Sequence, residues 1–300
     1  MRAASTHTEI YRSFKGSLAP SRWRFWALYR AQMAVATKRK LPLLILFFGP
    51  AMTGIIVSFM VYMRFSLEET GAAGPISGAG LAAQWAAQLL EVHNLIIYSM
   101  KVVRFFALLA MAWYGAGLIC DDRRAGAHLL YFARPLTRFD YMLAHFATAF
   151  TFGAYAVLGP GLLICLVAVF NSPDFVFLTE KWEVIVATVG YSLLFVGVLS
   201  SLILAVSALS RRKSYALAAV FAVFMGSIAL GGALSALMRE RDFWMVSLAH
   251  HFERVADWWL GAQRTFLRWD PWWSLLALGG LTALSLAIVA WRVRRMEVVA

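Results

Sequence analysis

The chain has 300 residues, of which 61% are hydrophobic and 15% charged, with a formal net charge of +12. Soluble domains average roughly 45–50% apolar residues, so this composition excludes a water-soluble domain and implies an integral membrane protein. The basic residues cluster beside hydrophobic stretches, where chain orientation and anionic lipid account for them, and nucleic acid is set aside as a partner.

The first 40 residues are basic, with Arg2, Arg12, Lys15, Arg22, Arg24, Arg30, Lys38, Arg39 and Lys40. They contain no apolar core of the signal-peptide kind and are read as a retained cytoplasmic region, residues 1–40. Trp26, Tyr29, Met33 and Ala36 recur at helical spacing within it. They predict an amphipathic helix at the inner membrane surface, leading through Pro42 into the first span.

A helix needs about 20 apolar residues to cross a hydrocarbon core. Stretches of that kind run from Leu41 to Met63, Leu95 to Ile119, Met142 to Phe170, Val184 to Leu209, Tyr215 to Met238 and Trp273 to Trp291. The expected fold is an all-α bundle of six transmembrane helices over residues 41–300, since continuous apolar runs exclude the period-two alternation of a barrel. The Gly/Ala-rich stretch Thr70–Ala83 reads as an outer loop, with a short helix at Leu81–Leu90. "GPG" at Gly159–Gly161 predicts a kink in the third span. Lys101 and Arg104, near one end of the second span, fit either a lined cavity or snorkelling to the interface. Cys120 and Cys165 make neither a disulfide framework nor a metal site.

Orientation follows from the connections. Arg123, Arg124, Arg134 and Arg138, then Arg211, Arg212 and Lys213, then Arg292, Arg294 and Arg295 fall on the side of the N-terminal region. The other side mixes signs, so both termini are expected in the cytoplasm.

The connection between the second and third spans is the most distinctive segment, reading "RRAGAHLLYFARPLTRFDY" from Arg123 to Tyr141. On a helical wheel Arg123, Arg124, Ala127, His128, Tyr131 and Arg134 share one side, opposite Ala125, Leu129, Phe132 and Ala133. Pro135 moves Arg134 out of helical geometry and ends this short amphipathic helix; Thr137 to Asp140 start the next one. From residues alone, such a basic amphipathic connector fits lipid headgroups as well as a protein partner.

The local wording resembles that of type-2 ATP-binding-cassette (ABC) transporter permeases. Asp121, Arg124, Gly126, Leu129, Leu130, Arg134, Pro135, Leu136, Thr137, Arg138 and Tyr141 match the family pattern; Ala125 and Ala127 depart from its glutamate and threonine, and His145 from its common lysine. The resemblance implies that this segment is a coupling helix entering a cleft of a separate cytoplasmic ATPase. Arg123, Arg124, Gly126, His128, Leu129, Leu130, Tyr131, Arg134, Pro135 and Arg138 would form the coupling surface. The chain contains no Gly-Lys dipeptide and so no phosphate-cradling P-loop. It is therefore expected to be no enzyme and to bind no cofactor, with ATP and Mg held by the partner ATPase. The family arrangement also implies a second permease chain, identical or paralogous, in a bacterial inner membrane whose lipids complete the surroundings.

"HHFERVADWW" places His250, Glu253 and Asp257 on one helical face, a weak candidate for a metal that fits an ion-pair ladder better. Trp244, Trp258, Trp259, Trp269, Trp272 and Trp273 read as an interfacial aromatic belt; the resemblance adds short helices dipping into the outer leaflet there. No HExxH or GxSxG arrangement is present. The leading expectation is the membrane subunit of an ATP-driven exporter. A mechanical or regulatory ABC-type subunit is an alternative, and a lipid-modifying membrane enzyme a more distant one.

Overall fold

The computed structural model describes residues 24–38, 40–69, 91–127, 131, 136–261, 267 and 269–296. The basic residues Arg2, Arg12, Lys15, Arg22 and Arg39, the Thr70–Ala83 loop and the expected helix at Leu81–Leu90 lie outside them. Along the chain run α1 (Arg24–Ala36), α2 (Lys40–Glu69), α3 (Val92–Gly115), α4 (Leu118–Arg124), α5 (Arg138–Asn171), a 3-10 turn (Pro173–Phe175), α6 (Val176–Glu180), α7 (Trp182–Leu209), α8 (Lys213–Met238), a 3-10 helix (Arg241–Val246), α9 (Leu248–Trp259) and α10 (Pro271–Arg294). Among the described residues six apolar stretches are long enough to cross a bilayer, on α2, on α3 with α4, and on α5, α7, α8 and α10. The chain is a multi-pass membrane protein, and each span read from the sequence lies on one of these helices.

The ends of the spans follow local chemistry. Thr137 caps α5: its hydroxyl accepts from the Asp140 backbone N–H at 3.1 Å, while Asp140 Oδ2 accepts from the Thr137 N–H at 3.1 Å. This reciprocal box is worth about 1 kcal/mol and starts the helix at Arg138 rather than at Met142, where hydropathy rises. Asp270 does the same for α10, accepting from Trp272 N–H at 3.0 Å, with Pro271 in the first turn where its missing N–H costs nothing. Pro160 lies inside α5, which is nonetheless one helix from Arg138 to Asn171. The proline meets α2 at Gly54, where an added Cβ would fall 3.1 Å from Pro160 Cα and Cβ. Absence of a side chain on α2 gives the ring its seat.

Helix α5 is the hub, lying against α1, α2, α3 and α7 and touching α10. In lipid there is little hydrophobic force between helices, so small side chains that permit close approach carry the association. Gly153 shows this best: a Cβ there would come within 2.7 Å of Val196 Cγ1 on α7 and 2.6 Å of Met111 Sδ on α3. Helices α8 and α10 are largely unburied and present Leu237, Leu276 and Leu284 outward, as lipid-facing helices do. Between them the chain folds back: the Leu248 N–H donates to Ser227 Oγ at 3.1 Å, well inside α8, and Trp259 lies against Gly190 of α7. The short helices expected in this region therefore dip into the bundle.

Gly153→Ala should lower the thermal stability of the detergent-solubilised protein by about 1–3 kcal/mol, because the β-branched Val196 cannot swing aside. Gly197→Ala, with nothing within 4 Å of its added Cβ, is the control and should leave stability unchanged or raised.

Candidate functional site

The end of the bundle that carries Arg123, Arg124 and Arg138 is built around the break between α3 and α4. One side chain of α7 holds that break. Ser207 Oγ donates to the Ala116 carbonyl at 2.8 Å and accepts from the Ile119 and Cys120 N–H groups at 3.1 and 3.2 Å. The backbone groups freed by the turn at Ala116–Gly117 are thereby satisfied without water. Arg123 Nη1 then donates to the Ala208 carbonyl at 2.5 Å, tying the end of α4 to the end of α7.

A buried polar network joins α4 to α1 and α5. Asp122 Oδ2 accepts from the Tyr141 hydroxyl at 3.1 Å and lies 3.3 Å from His145 Nε2. Gln32 Nε2 lies 2.8 Å from His145 Nδ1 and 3.4 Å from its Nε2; donation to the nearer Nδ1 corresponds to the tautomer with the ring proton on Nε2, towards Asp122. The Gln32 carbonyl oxygen accepts from Thr148 Oγ1 at 2.8 Å, and Tyr29 and Thr151 hydroxyls meet at 3.0 Å. His145 and Tyr141 are fully buried, with rings 4.2 Å apart edge to face. Helix α1 is thus a part of the bundle, fastened through Gln32 and Tyr29. Leu28 and Ala36 are buried and Tyr29 and Met33 half-buried, so three of the four positions of the predicted stripe face the bundle, while Trp26 is 53% exposed and stacks on Tyr29 at 5.0 Å. A cavity of about 230 Å³ lies beside the network, bordered by Gln32, Tyr114, Asp121, Asp122, Tyr131 and Thr148.

The expected coupling residues divide into three groups. Arg123 is turned back onto α7, and Tyr131 faces Tyr141 with ring centroids 6.1 Å apart, where burial and the charge of Asp122 push its phenol pKa up. Arg124 and Arg138 are exposed. His128, Leu129, Leu130, Arg134 and Pro135 lie outside the described residues. The wheel drawn through Arg123–Arg134 as a single helix needs correction at its start. Gly126 has φ +68° and its N–H turns back to the Arg123 carbonyl at 3.3 Å, so Arg123 and Arg124 finish α4 rather than open a new helix. Only glycine takes this left-handed step without strain. The network itself escapes a reading of the segment alone. Its signal is Tyr141, His145 and Thr148 at spacings of four and three, a polar stripe along an apolar span.

At the opposite end α9 carries the second charged cluster. Glu253 forms an ion pair with Lys101 of α3, and Arg104 Nη1 donates to the Ala249 carbonyl at 3.4 Å. Arg254 donates to the Trp269 carbonyl at 2.8 Å, so these charges also tie α9 to its neighbours. Lys101 and Arg104 are accordingly interhelical. His250 Nε2 is 4.0 Å from Glu253, and no group of three His, Cys, Asp or Glu that could hold a metal occurs among the described residues, so His250, Glu253 and Asp257 do not converge on one. The six tryptophans also divide. Trp258, Trp272 and Trp273 are exposed, Trp244 and Trp259 half-buried, and Trp269 is buried with its Nε1 donating to Ser274 Oγ at 2.9 Å.

No protein-family model matches the chain, and no curated protein matches it.

Two predictions follow from these clusters. Asp122→Ala strands the Tyr141 hydroxyl and the His145 Nε2 proton and should cost about 1–3 kcal/mol in thermal or chemical unfolding; Asp122→Asn, which keeps an acceptor, should cost less. Burial, helped by Arg104, His251 and Lys101 and opposed by Glu253, holds the His250 pKa below its ordinary 6.5; burial does the same for His251 against a backbone bond to Met245. The folded protein therefore favours neutral rings, and their contribution is present above that pH and lost as pH falls through it towards the lowered folded values. The melting temperature should drop between pH 7.5 and 5, and the double variant His250→Gln, His251→Gln should show a smaller drop.

Proposed function

We propose that the chain is the membrane-spanning subunit of an ATP-driven exporter of the type-2 ABC kind. The observation that carries the reading is the Arg123–Tyr141 wording between the second and third spans. ATP and Mg belong to a separate cytoplasmic ATPase, and a second permease chain completes the pair. By the positive-inside rule the Arg-rich end faces the cytoplasm of a bacterial inner membrane, with both termini on that side.

The mechanism uses the connections at that end. Exposed Arg124 and Arg138 flank the segment and supply charge-assisted pairing at the rim of an ATPase cleft, while its apolar residues fill the groove. When the ATPases close, they push on this segment. The push reaches α4 and α5 together, because Asp122 is bonded to both Tyr141 and His145, and it reaches α1 through Gln32. It reaches α7 through Arg123. The Ala116–Gly117 turn between α3 and α4 is where a change of tilt is absorbed, since side-chain bonds from the Ser207 hydroxyl and the Cys120 thiol span the backbone there. Rigid helices then carry the tilt to the far end, where the Lys101–Glu253 pair makes α9 follow α3. Access alternates as the two arrangements exchange population.

The test is co-purification with the ATPases encoded beside this chain. The double reversal Arg124→Glu, Arg134→Glu should reduce ATPase recovery and stimulated hydrolysis about tenfold or more, the scale of one or two lost charge-assisted contacts. The reading fails if no ATPase binds the wild-type chain, or if the reversal leaves both quantities unchanged.

A further inference from the structure

At the end of the bundle away from the arginine-rich segment, a cavity of about 510 Å³ opens between α2, α3 and the connection from α5 to α7. Ligand pockets run from roughly 300 to 1,000 Å³, so the space suits a small molecule or a headgroup. Its polar lining comes from Arg64 of α2, Glu91 and His93 at the start of α3, Ser172 after α5 and Lys181 before α7. Among the described lining residues the acid is Glu91, whose Oε2 lies 3.3 Å from His93 Nδ1. Both cations act electrostatically on the His93 ring, which places the charges of Arg64 and Lys181 around one space.

The other nitrogen of this ring gives the chemistry more detail. His93 Nε2 is buried and meets no hydrogen-bond partner among the described residues. A buried polar atom left unpaired costs about 1–3 kcal/mol, so a ligand that pairs it gains that much in its favour. With the ring proton on Nδ1 facing Glu91, Nε2 accepts from a hydroxyl; with the ring protonated, it donates to an anionic oxygen. Two cations, a hydroxyl and a histidine nitrogen match a phosphate flanked by hydroxyl groups.

The rest of the lining is apolar: Phe65 of α2, Val92 of α3, and Val176 and Phe177 of α6. Phe177 is buried, Val176 is 38% exposed, and Phe175, Leu178 and Trp182, neighbours in the same stretch of chain, are 52%, 49% and 53% exposed. Tryptophan favours the headgroup level of a bilayer, so a phosphate held in the cavity sits at the depth where attached acyl chains meet such exposed apolar side chains. A soluble phosphate ester would gain nothing from them.

We propose that the cavity bounded by Arg64, His93, Ser172 and Lys181 is a binding site for a glycerophosphate headgroup, carried by an anionic phospholipid such as phosphatidylglycerol. The site lies at the opposite end of the bundle from the docking segment and does not depend on the exporter reading.

The experiment purifies the full chain from bilayers of equal phosphatidylglycerol and phosphatidylcholine and quantifies the retained lipid by mass spectrometry, with sn-glycerol 3-phosphate as the soluble probe. Wild type should retain phosphatidylglycerol over phosphatidylcholine by about tenfold, and Arg64→Gln, Lys181→Gln should abolish the preference. Arg241→Gln, at an exposed arginine on the same end, should leave it intact. Should the double variant not fold, the exposed Lys181 replaced alone by Glu should lose the preference and by Arg should keep it. Equal retention of the two lipids, a preference unchanged in the cavity variants, or an equal loss with Arg241→Gln overturns the proposal. Binding of glycerol 3-phosphate to wild type and not to the variant, without enrichment of phosphatidylglycerol, supports the phosphate site and overturns its lipid occupant.

Discussion

The bundle depends on how closely α3, α5 and α7 can approach one another. Apolar side chains gain little by leaving lipid for each other, so the association rests on contact distance, and contact distance rests on Gly153, Gly161 and Gly115. At Gly161 an added Cβ would meet Met100 and Thr188, and at Gly115 it would meet Ile203, so the seam runs the length of the three helices. Everything else is hung on this seam: α2 sits against its α5 side through Gly54 and Pro160, and α1 lies across its arginine-rich end.

Polar groups inside such a seam are costly unless paired, and at the arginine-rich end a set of them pair with one another. Asp122, Tyr141, His145, Gln32 and Thr148 satisfy one another across three helices. A partly satisfied network would cost more than apolar packing, which makes this end a unit that moves together or not at all. Ser207 contributes the complementary property: it satisfies a break in the second span without making that break rigid along its length. A stiff connection beside a bridged turn is the arrangement that passing a push from the surface into the bundle requires. At the far end, the Lys101–Glu253 pair and the Arg254 bond to Trp269 keep the folded-back α9 from being a loose lid.

Hydropathy located all six spans because each needs about 20 apolar residues and nothing else in the chain supplies them. Local chemistry was legible as well, since Thr137 and Asp140 start α5 as their spacing predicts. Periodicity found α1 and most of its buried face, Tyr29, Met33 and Ala36, but misplaced its first turn, where Leu28 rather than Trp26 is buried, because the two are both apolar and only the partner helix decides between them. The continuous wheel at Arg123–Arg134 failed for a related reason. A single glycine, Gly126, takes a left-handed step that hydrophobic spacing does not register. His145 stood out in the sequence only as a departure from a familiar lysine, and its partners Gln32 and Asp122 lie more than a hundred and about twenty residues away along the chain. Such pairings are written in three dimensions. Tryptophans read as one belt proved to be three exposed rings and three used in packing, since Trp269 has a buried partner in Ser274 and Trp259 fits against Gly190.

The central claim is that the arginine-rich end faces the cytoplasm and is covered there by an ATPase. It is tested most directly by labelling with a membrane-impermeant maleimide. In a background carrying Cys120→Ala and Cys165→Ala, which removes the two buried thiols, Arg138→Cys and Arg239→Cys are labelled in separate right-side-out and inverted vesicles. The account predicts that position 138 reacts from the cytoplasmic face and is protected when the ATPase binds, while position 239 reacts from the opposite face and is not protected. Labelling of position 138 from the outer face, or labelling from the cytoplasmic face that a bound ATPase leaves unchanged, would contradict it.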